Sequence, residues 1–452
     1  MNEKFINYFK DNFFDNNEDL KVFLQSLHKN IKKSIRVNTN KISVSELLKR
    51  LKKYWYEIIP TFNDKVFYVE RWENYSNIEK RLGFSLEHLL GYFYIQELWA
   101  SSSVFYLSDW KIDNEEYLIL DMASSPGGKT TQLGEYYPNS FIVANEFSGD
   151  RTPQLISNIE RMGAQNIWVT CYNGQFIGRM TETFDKILLD APCSGEGIGF
   201  KSENTLKYWN IKNVTKIGDL QQKLFEAGLN SLKIWWEMLY STCTMNKIEN
   251  EWIIENALKK YPESFRVVFQ KRFWPHIDET GWFFVCKIKK LKSIDYKTKL
   301  KPELSNTEIK NLTLNEKKIL EKFSETSGLD LSGFEIFKYK DEVLIIRKTS
   351  AINKIKDRLY FIKFWQKIGK IEKWSFTPNY YIWRDFDLPK IQVYIIKDDL
   401  ELDNYLRWAQ IWENITDEIT QIKYENLNIW LWFLDKTTSK IKNLFPIWWR
   451  RK

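Results

Sequence analysis

The sequence predicts an α/β protein built on a doubly wound, mostly parallel sheet. Three observations carry that reading. Between about residues 85 and 290, short apolar runs alternate with segments of helical apolar spacing. Those runs end in residues with chemistry of their own: Asp121, Glu146, Asp190 and Cys243. The first run leads into "ASSPGGKTT", a glycine turn that opens a helix.

Taken in order, residues 1–80 mix helical and strand signals, with "KKSIRVNTNKIS" reading as a short strand preceded by lysines. Residues 81–290 then hold the repeating units. "YLILDM" is a strand ending at Asp121, "SFIVANE" a second ending at Glu146, and "RTPQLISNIERMGA" a helix between the second and third. "NIWVTCYN", "FDKILLDAPC" and "EMLYSTCT" follow as strands. Sheets of this class bind ligands at the carboxyl ends of their strands, where the unusual residues fall. Residues 291–370 read as a basic linker with a small domain, and 371–452 as short strands rich in aromatics.

A chain of 452 residues exceeds what one core organises, so several domains are expected. No window approaches eighteen uninterrupted apolar residues, and the opening "MNEKFINYFKDNFFDNNEDL" lacks the apolar core of a secretory signal, so a cytoplasmic protein is expected. Four cysteines without a CxxC pair and three histidines argue against a metal site or a disulfide framework. The net charge of +8 is only moderately basic. Its distribution says more: seven lysines stand between Lys287 and Glu303, either a solvated linker or a nucleic-acid contact.

The candidate site follows from the strand ends. In "LDMASSPGGKT", backbone amides of a small-residue turn can approach a polar ligand closely. A phosphate-binding P-loop would need glycine at position 123, which is alanine, so that reading is set aside. Glu146 stands where an acid accepts from ribose hydroxyls, although a helix N-terminus also favours an acid there. Asp190 and Cys193 share a third strand end, and Cys243 takes a fourth. A thiolate, an acid and a nucleoside cofactor together suit methylation of a pyrimidine at carbon-5. That carbon is too weak a nucleophile alone, and a thiolate adding to carbon-6 makes it enamine-like. A carboxyl group at N3 would stabilise the adduct.

The motifs "DMASSPGGKT", "NEFSGDR", "DAPCSGEG" and "YSTCTMNKIENE" resemble those of the Nop/Sun superfamily of RNA cytosine-5 methyltransferases. "KKSIRVNTNKIS", "FYVER", "LEHLLGYFYIQE" and "RFWPHIDETGWFFV" extend the similarity, particularly to the bacterial 16S ribosomal RNA methyltransferase F group. The resemblance implies a Rossmann-like core using S-adenosyl-L-methionine, flanked by an N-terminal RNA-binding region and a C-terminal PUA-like RNA-binding domain. It implies Cys243 as nucleophile, Cys193 as the residue assisting release of the methylated base, and Asp190 beside the methyl group and base, with Lys129 completing the catalytic set. The cofactor would lie along Ala123, Ser124, Ser125, Pro126, Gly127, Gly128 and Lys129, with Glu146 on its ribose, Arg151 supporting that acid and Asn173 near its adenine. Ser124 and Ser125 replace the family's usual alanines, and Asn173 its usual aspartate. The implied partner is small-subunit ribosomal RNA or the 30S subunit, met by a monomer; tRNA methylation, or a catalytically inactive assembly factor, are the alternatives.

One local feature conflicts with this pattern. The family usually has two glycines where Trp235 and Trp236 stand, and a turn there needs permissive backbone angles and little bulk. The chain has 20 Trp and 18 Gly; glycine is thus about 4% against a usual ~7%. A UGA codon read as glycine in the cell but translated as tryptophan accounts for both facts. The candidate positions are Trp55, Trp235, Trp236, Trp282, Trp408, Trp430 and Trp432, whereas Trp209 and Trp274 fit tryptophan positions of the family.

Overall fold

A computed structural model describes residues 2–443 except 28–31, 55, 72–81, 197–205, 279–280, 299–309, 349–354, 356–357, 364–365, 373, 380–381, 383–385, 387, 407–418, 426 and 436–439. Contacts group the chain into two units. The first comprises Met1–Asn77, Tyr92–Leu304 and Ser350–Lys363; the second takes Ile78–Gly91, Ser305–Thr349 and Phe364–Lys452.

In the first unit, β1 (Ser34–Val37), β2 (Tyr56–Pro60), β3 (Val66–Arg71) and β4 (Phe93–Ile95) form an antiparallel sheet of order β2-β3-β1-β4. The basic-looking strand of the sequence is β1, and all four of its residues are buried. Arg36 is among them, at 1% exposure.

The main sheet of the first unit contains β5 (Leu118–Asp121), β6 (Phe141–Asn145), β7 (Ile167–Thr170), β8 (Phe184–Asp190), β9 (Leu232–Thr242), β10 (Phe265–Phe273) and β11 (Phe283–Lys290). Its order is β10-β11-β9-β8-β5-β6-β7. Strands β5 to β9 run parallel, while β10 and β11 are antiparallel additions beside β9. Ile119, Leu120, Ile142, Val143, Ile187 and Leu188 are fully buried, which is why these runs carry no polar alternation. From β5 the chain winds outward through β6 and β7, then returns to build β8 and β9 on the other side. The reversal opens a crevice at the carboxyl ends of β5 and β8.

Each strand end is fixed by the helix that follows or precedes it. The Thr152–Met162 helix starts with proline in its first turn and stops at Gly163, whose φ of 75° suits a left-handed cap. The Ile211–Ser231 helix is capped by Asn210 and runs directly into β9 at Leu232. Above the Cys243 end, the Glu3–Phe13 and Asn17–Ser26 helices place Phe5, Phe9 and Phe23 in a cluster with Trp209, Met245 and Trp282.

Residues 350–363 also belong to this unit. Val169 in β7 and Lys363 form an antiparallel bridge, and Phe361 packs its ring edgewise on Trp168. The lysine-rich stretch is not one solvated linker. Lys287 and Lys290 lie in β11, buried and paired: Lys287 with Asp109 and Glu237, Lys290 with Glu182. Pairing of β11 against β9 draws them inward, which their local charge density hides.

The second unit contains β12 (Lys310–Asn311), β13 (Phe334–Tyr339), β14 (Glu342–Arg347), β15 (Gln366–Glu372) and β16 (Ser375–Pro378) in one antiparallel sheet. A second sheet joins β17 (Gln392–Ile395), β18 (Ile419–Tyr424), β19 (Leu427–Asp435) and β20 (Lys440–Asn443), with β17 parallel to β18. Trp55 and Trp408 fall outside the described residues.

The tryptophan pair does not form a turn before a strand. Strand β9 is continuous through it, and its register against β8 jumps from Phe184↔Leu232 to Lys186↔Glu237, so residues 233–236 bulge. Trp235 carries the bulge's left-handed residue, at φ 73° and 65% exposed. That conformation is the one a bulge ordinarily assigns to glycine. Trp236 instead packs edgewise on Tyr117, with ring centroids 5.4 Å apart. Trp282 is buried against Phe9 and Phe23. The two neighbours should therefore respond oppositely. Trp235→Gly relieves a left-handed penalty of ~1–2 kcal/mol, less the extra backbone entropy of glycine, for a net gain of up to about 1 kcal/mol. Trp236→Gly loses the ring contact and should destabilise by about 1 kcal/mol or more. Urea denaturation of the two single variants measures both signs.

Candidate active site

The turn after β5 is held open by its own side chains. The Ser124 hydroxyl donates to the Asp121 carbonyl at 3.0 Å, and the Ser124 amide to the Asn145 carbonyl at 2.9 Å. Asn158 donates to the Pro126 carbonyl at 2.8 Å. Gly127 has φ 106°, and a Cβ on it would lie 3.1 Å from Leu155; one on Gly128 would lie 3.1 Å from Tyr94. The backbone must be bare here to lie between those side chains. The following helix, Gly128–Tyr136, points its first amides into the crevice.

Buried Arg36 braces that helix from the antiparallel sheet. It pairs with Glu135 and donates to the Gly128 carbonyl at 3.1 Å and the Thr131 hydroxyl at 3.0 Å. Its role is tertiary, and no local pattern announces it. Asp121, beneath the turn, is pushed up to about 7 by burial, against the lowering effect of the Thr130 hydroxyl donating at 2.7 Å.

At the end of β6, Glu146 is 4% exposed, accepts from the Ser148 amide at 2.8 Å and lies 3.5 Å from Arg151. Arg151 also donates to the Ser125 carbonyl at 2.7 Å, so one side chain ties the β5 turn to the β6 acid. Asn173 caps the short Gly174–Ile177 helix, its Oδ1 accepting from the Gln175 amide at 3.0 Å. A carbonyl oxygen has a second lone pair, so the cap leaves Asn173 able to accept again.

Strands β8 and β9 supply the remaining groups. Lys129 Nζ lies 2.7 Å from Asp190 Oδ2, and the Ser241 hydroxyl donates to Asp190 Oδ1 at 2.8 Å. Burial pulls the Lys129 ammonium down, but Asp190 outweighs it and the net shift is upward, so the ammonium keeps its proton. Cys193 and Cys243 meet at 2.8 Å, Sγ to Sγ. The hydrogen bond to Cys243, then burial, raises the Cys193 thiol well above its ordinary range. Two thiols in contact do not both ionise readily, which is why the neighbour opposes loss of the Cys193 proton.

The four strand ends that carry Asp121, Glu146, Asp190 and Cys243 lie on neighbouring parallel strands of one sheet, in the order β9-β8-β5-β6. Missed from the sequence were Arg36, Ser241 and two carboxylates, Glu196 and Glu249, although the quoted motifs contain both acids. Among the described residues, no group of three or more His, Cys, Asp or Glu could hold a metal ion. None of the described helices is long and apolar enough to cross a membrane.

Comparison with known proteins resolves the family. The family described as "16S rRNA methyltransferase RsmB/F" matches residues 110–289, and the "N-terminal domain of 16S rRNA methyltransferase RsmF" matches residues 1–98. Ribosomal RNA small subunit methyltransferase F of Shewanella frigidimarina is 34% identical over 364 residues, covering 76% of this chain and 73% of its own length. The chain belongs to the RsmB/F methyltransferase family.

The Aliivibrio fischeri (strain MJ11) member is 37% identical over 287 residues, which span 59% of this chain and 60% of that relative. A methyltransferase homologue from Pyrococcus horikoshii has the same fold, with TM-score 0.54 and 28% identity over 64% of this chain and 96% of its own. NSun6 from the same organism, solved with SFG, gives TM-score 0.57 at 22% identity, covering 65% and 99%. As an RsmB/F member the chain is an S-adenosylmethionine-dependent methyltransferase. The residues present fit that cofactor: a bare glycine turn at a helix N-terminus, and a buried acid on the adjacent strand.

Two outcomes follow. Arg36→Met leaves the Glu135 carboxylate buried without its cation, so stability should fall by roughly 3–5 kcal/mol. Calorimetry should also show weaker S-adenosylmethionine binding, because the Gly128 carbonyl loses its anchor. For Asp121 the folded value lies above the unfolded one, so its contribution is fully present below about pH 4 and is lost as pH rises to about 7. Asp121→Asn should flatten the pH–stability curve in that window, read from denaturation midpoints.

Proposed function

We propose that this protein methylates carbon-5 of a cytosine in 16S ribosomal RNA through a covalent cysteine adduct. The observation that carries the reading is the thiol pair, Cys193 and Cys243, at the end of two parallel strands beside the Lys129–Asp190 ion pair. The names of the curated relatives support ribosomal RNA as substrate over tRNA.

Cys243, as thiolate, adds to carbon-6 of the base, and the pyrimidine double bond moves its electrons to carbon-5. S-adenosylmethionine supplies the methyl group. In this reading Asp190 faces the base, and Lys129, 2.7 Å from it, offsets the charge that develops as the ring becomes anionic. Release reverses the addition: carbon-5 gives up its proton, the double bond re-forms and Cys243 leaves as thiolate. Cys193, in contact with Cys243, is the group that assists this step. Ala123 to Lys129 hold the cofactor, Glu146 with Arg151 meets its ribose, and Asn173 lies toward its adenine.

Residues 1–80, the basic linker that opens the 291–370 region, and a PUA-like domain over 371–452 are read as RNA-binding. The enzyme acts in the cytoplasm, as a monomer, on the RNA or the 30S subunit. Lysine contacts to phosphate release counterions, so RNA affinity should fall steeply with salt.

The two cysteines should fail differently. Cys243→Ala should abolish methylation and leave no RNA-linked enzyme on a denaturing gel. Cys193→Ala should accumulate that linked species, because attack and transfer proceed but release stalls. Bisulfite mapping of 16S rRNA from cells with and without the gene reads the target; an unchanged map would refute the proposal.

A further inference from the structure

Glu196 and Glu249 are buried to 1% and 0% exposure, and among the described residues neither has a cation within ion-pair distance. Their donors are neutral and come from particular places. Glu196 follows Cys193 by three residues, yet its Oε2 accepts from the loop after Cys243: Thr244 Oγ1 at 2.5 Å, Met245 N at 2.9 Å and Asn246 N at 3.1 Å. Its Oε1 accepts from Trp209 Nε1 at 2.6 Å and Asn246 Nδ2 at 2.9 Å. Glu249 follows Cys243 and reaches the other way. Its Oε2 accepts from the Ser194 amide at 2.9 Å and from Gln221 Nε2 at 2.9 Å, and Gln221 also donates to the Pro192 carbonyl at 2.8 Å. Asn246 Nδ2 donates to Glu249 Oε1 at 2.7 Å and so joins the two carboxylates. Each cysteine loop thus carries the acid that holds the other.

We infer that Glu196 and Glu249 are positioning residues, a reciprocal strap that keeps the Cys193 and Cys243 thiols in contact; their catalytic use rests on the function proposed above. Leaving two carboxylates buried without cations is costly, and apolar packing would close the same space more cheaply. What apolar packing cannot do is fix two irregular loops by their backbone amides, the task an acceptor-only group performs.

The test reads thiol geometry directly. Phenylarsine oxide bridges two adjacent thiols, forming two arsenic–sulfur bonds and releasing one water. The wild-type chain should take up one equivalent, and Cys193→Ala should not. In Glu196→Gln and Glu249→Gln, either orientation of the amide sets an –NH₂ against an N–H or O–H donor. Each should weaken capture by about tenfold, a shift of ~1.4 kcal/mol, with S-adenosylmethionine affinity essentially unchanged. Their kcat should fall while KM for the cofactor holds. Thr244→Val, which removes one donor and little volume, should show a smaller loss of capture. Unchanged capture in all three variants overturns the inference, as does joint loss of capture and cofactor binding. Because capture needs no RNA, normal capture in an enzyme inactive on RNA would refute the reaction and leave the strap standing.

Discussion

The parallel pairing of β5 with β8 sets every other distance in the site. Asp121 and Leu188 are register partners, so the turn that follows Asp121 and the acid that ends β8 emerge side by side. Lys129 can then reach Asp190 from the first turn of its helix, and β9, paired to β8 with Ser241 opposite Asp190, delivers Cys243 beside the same acid. A slip of one residue in either ladder would turn Asp190 to the opposite face of the sheet. The apolar filling of β5, β6 and β8 therefore fixes the chemistry at the rim.

Charge in this molecule is organised by burial. Arg36 with Glu135, and Lys129 with Asp190, are paired inside the first unit. Asp121 rises toward neutrality because burial outweighs its hydroxyl donor. Glu196 and Glu249 take a third course and are satisfied by neutral donors: amides, a hydroxyl and the Trp209 indole N–H. These solutions suit different tasks: an ion pair ties one element to another, while neutral donors hold loops in place without adding a cation near the thiols.

Much of this was legible in the sequence. Strand ends marked by Asp121, Glu146, Asp190 and Cys243 were readable because a buried parallel strand is a short apolar run, and the residue that breaks it lies at the rim. The bulk at position 235 was readable because backbone sterics do not depend on context, although the feature is a bulge within β9 rather than a turn. Arg36 was not readable, since its partners Gly128, Thr131 and Glu135 lie about a hundred residues away. Lys287 and Lys290 misled for the same reason: a run of lysines looks solvated until strand pairing buries it. Trp282 fits because the helices at the N-terminus supply phenylalanines around it, again a tertiary fact.

The bridge between β7 and Lys363 has a consequence for how the protein is made and kept soluble. Strand β7 is the last of its sheet, and Val169 exchanges backbone hydrogen bonds with Ile362 and Lys363 at 2.9 and 2.6 Å. An uncovered edge is a template for pairing with a second chain. The segment that blunts it lies some two hundred residues downstream of β7, beyond Leu304. The chain can therefore cover this margin with its own backbone only after Lys363 has been synthesised.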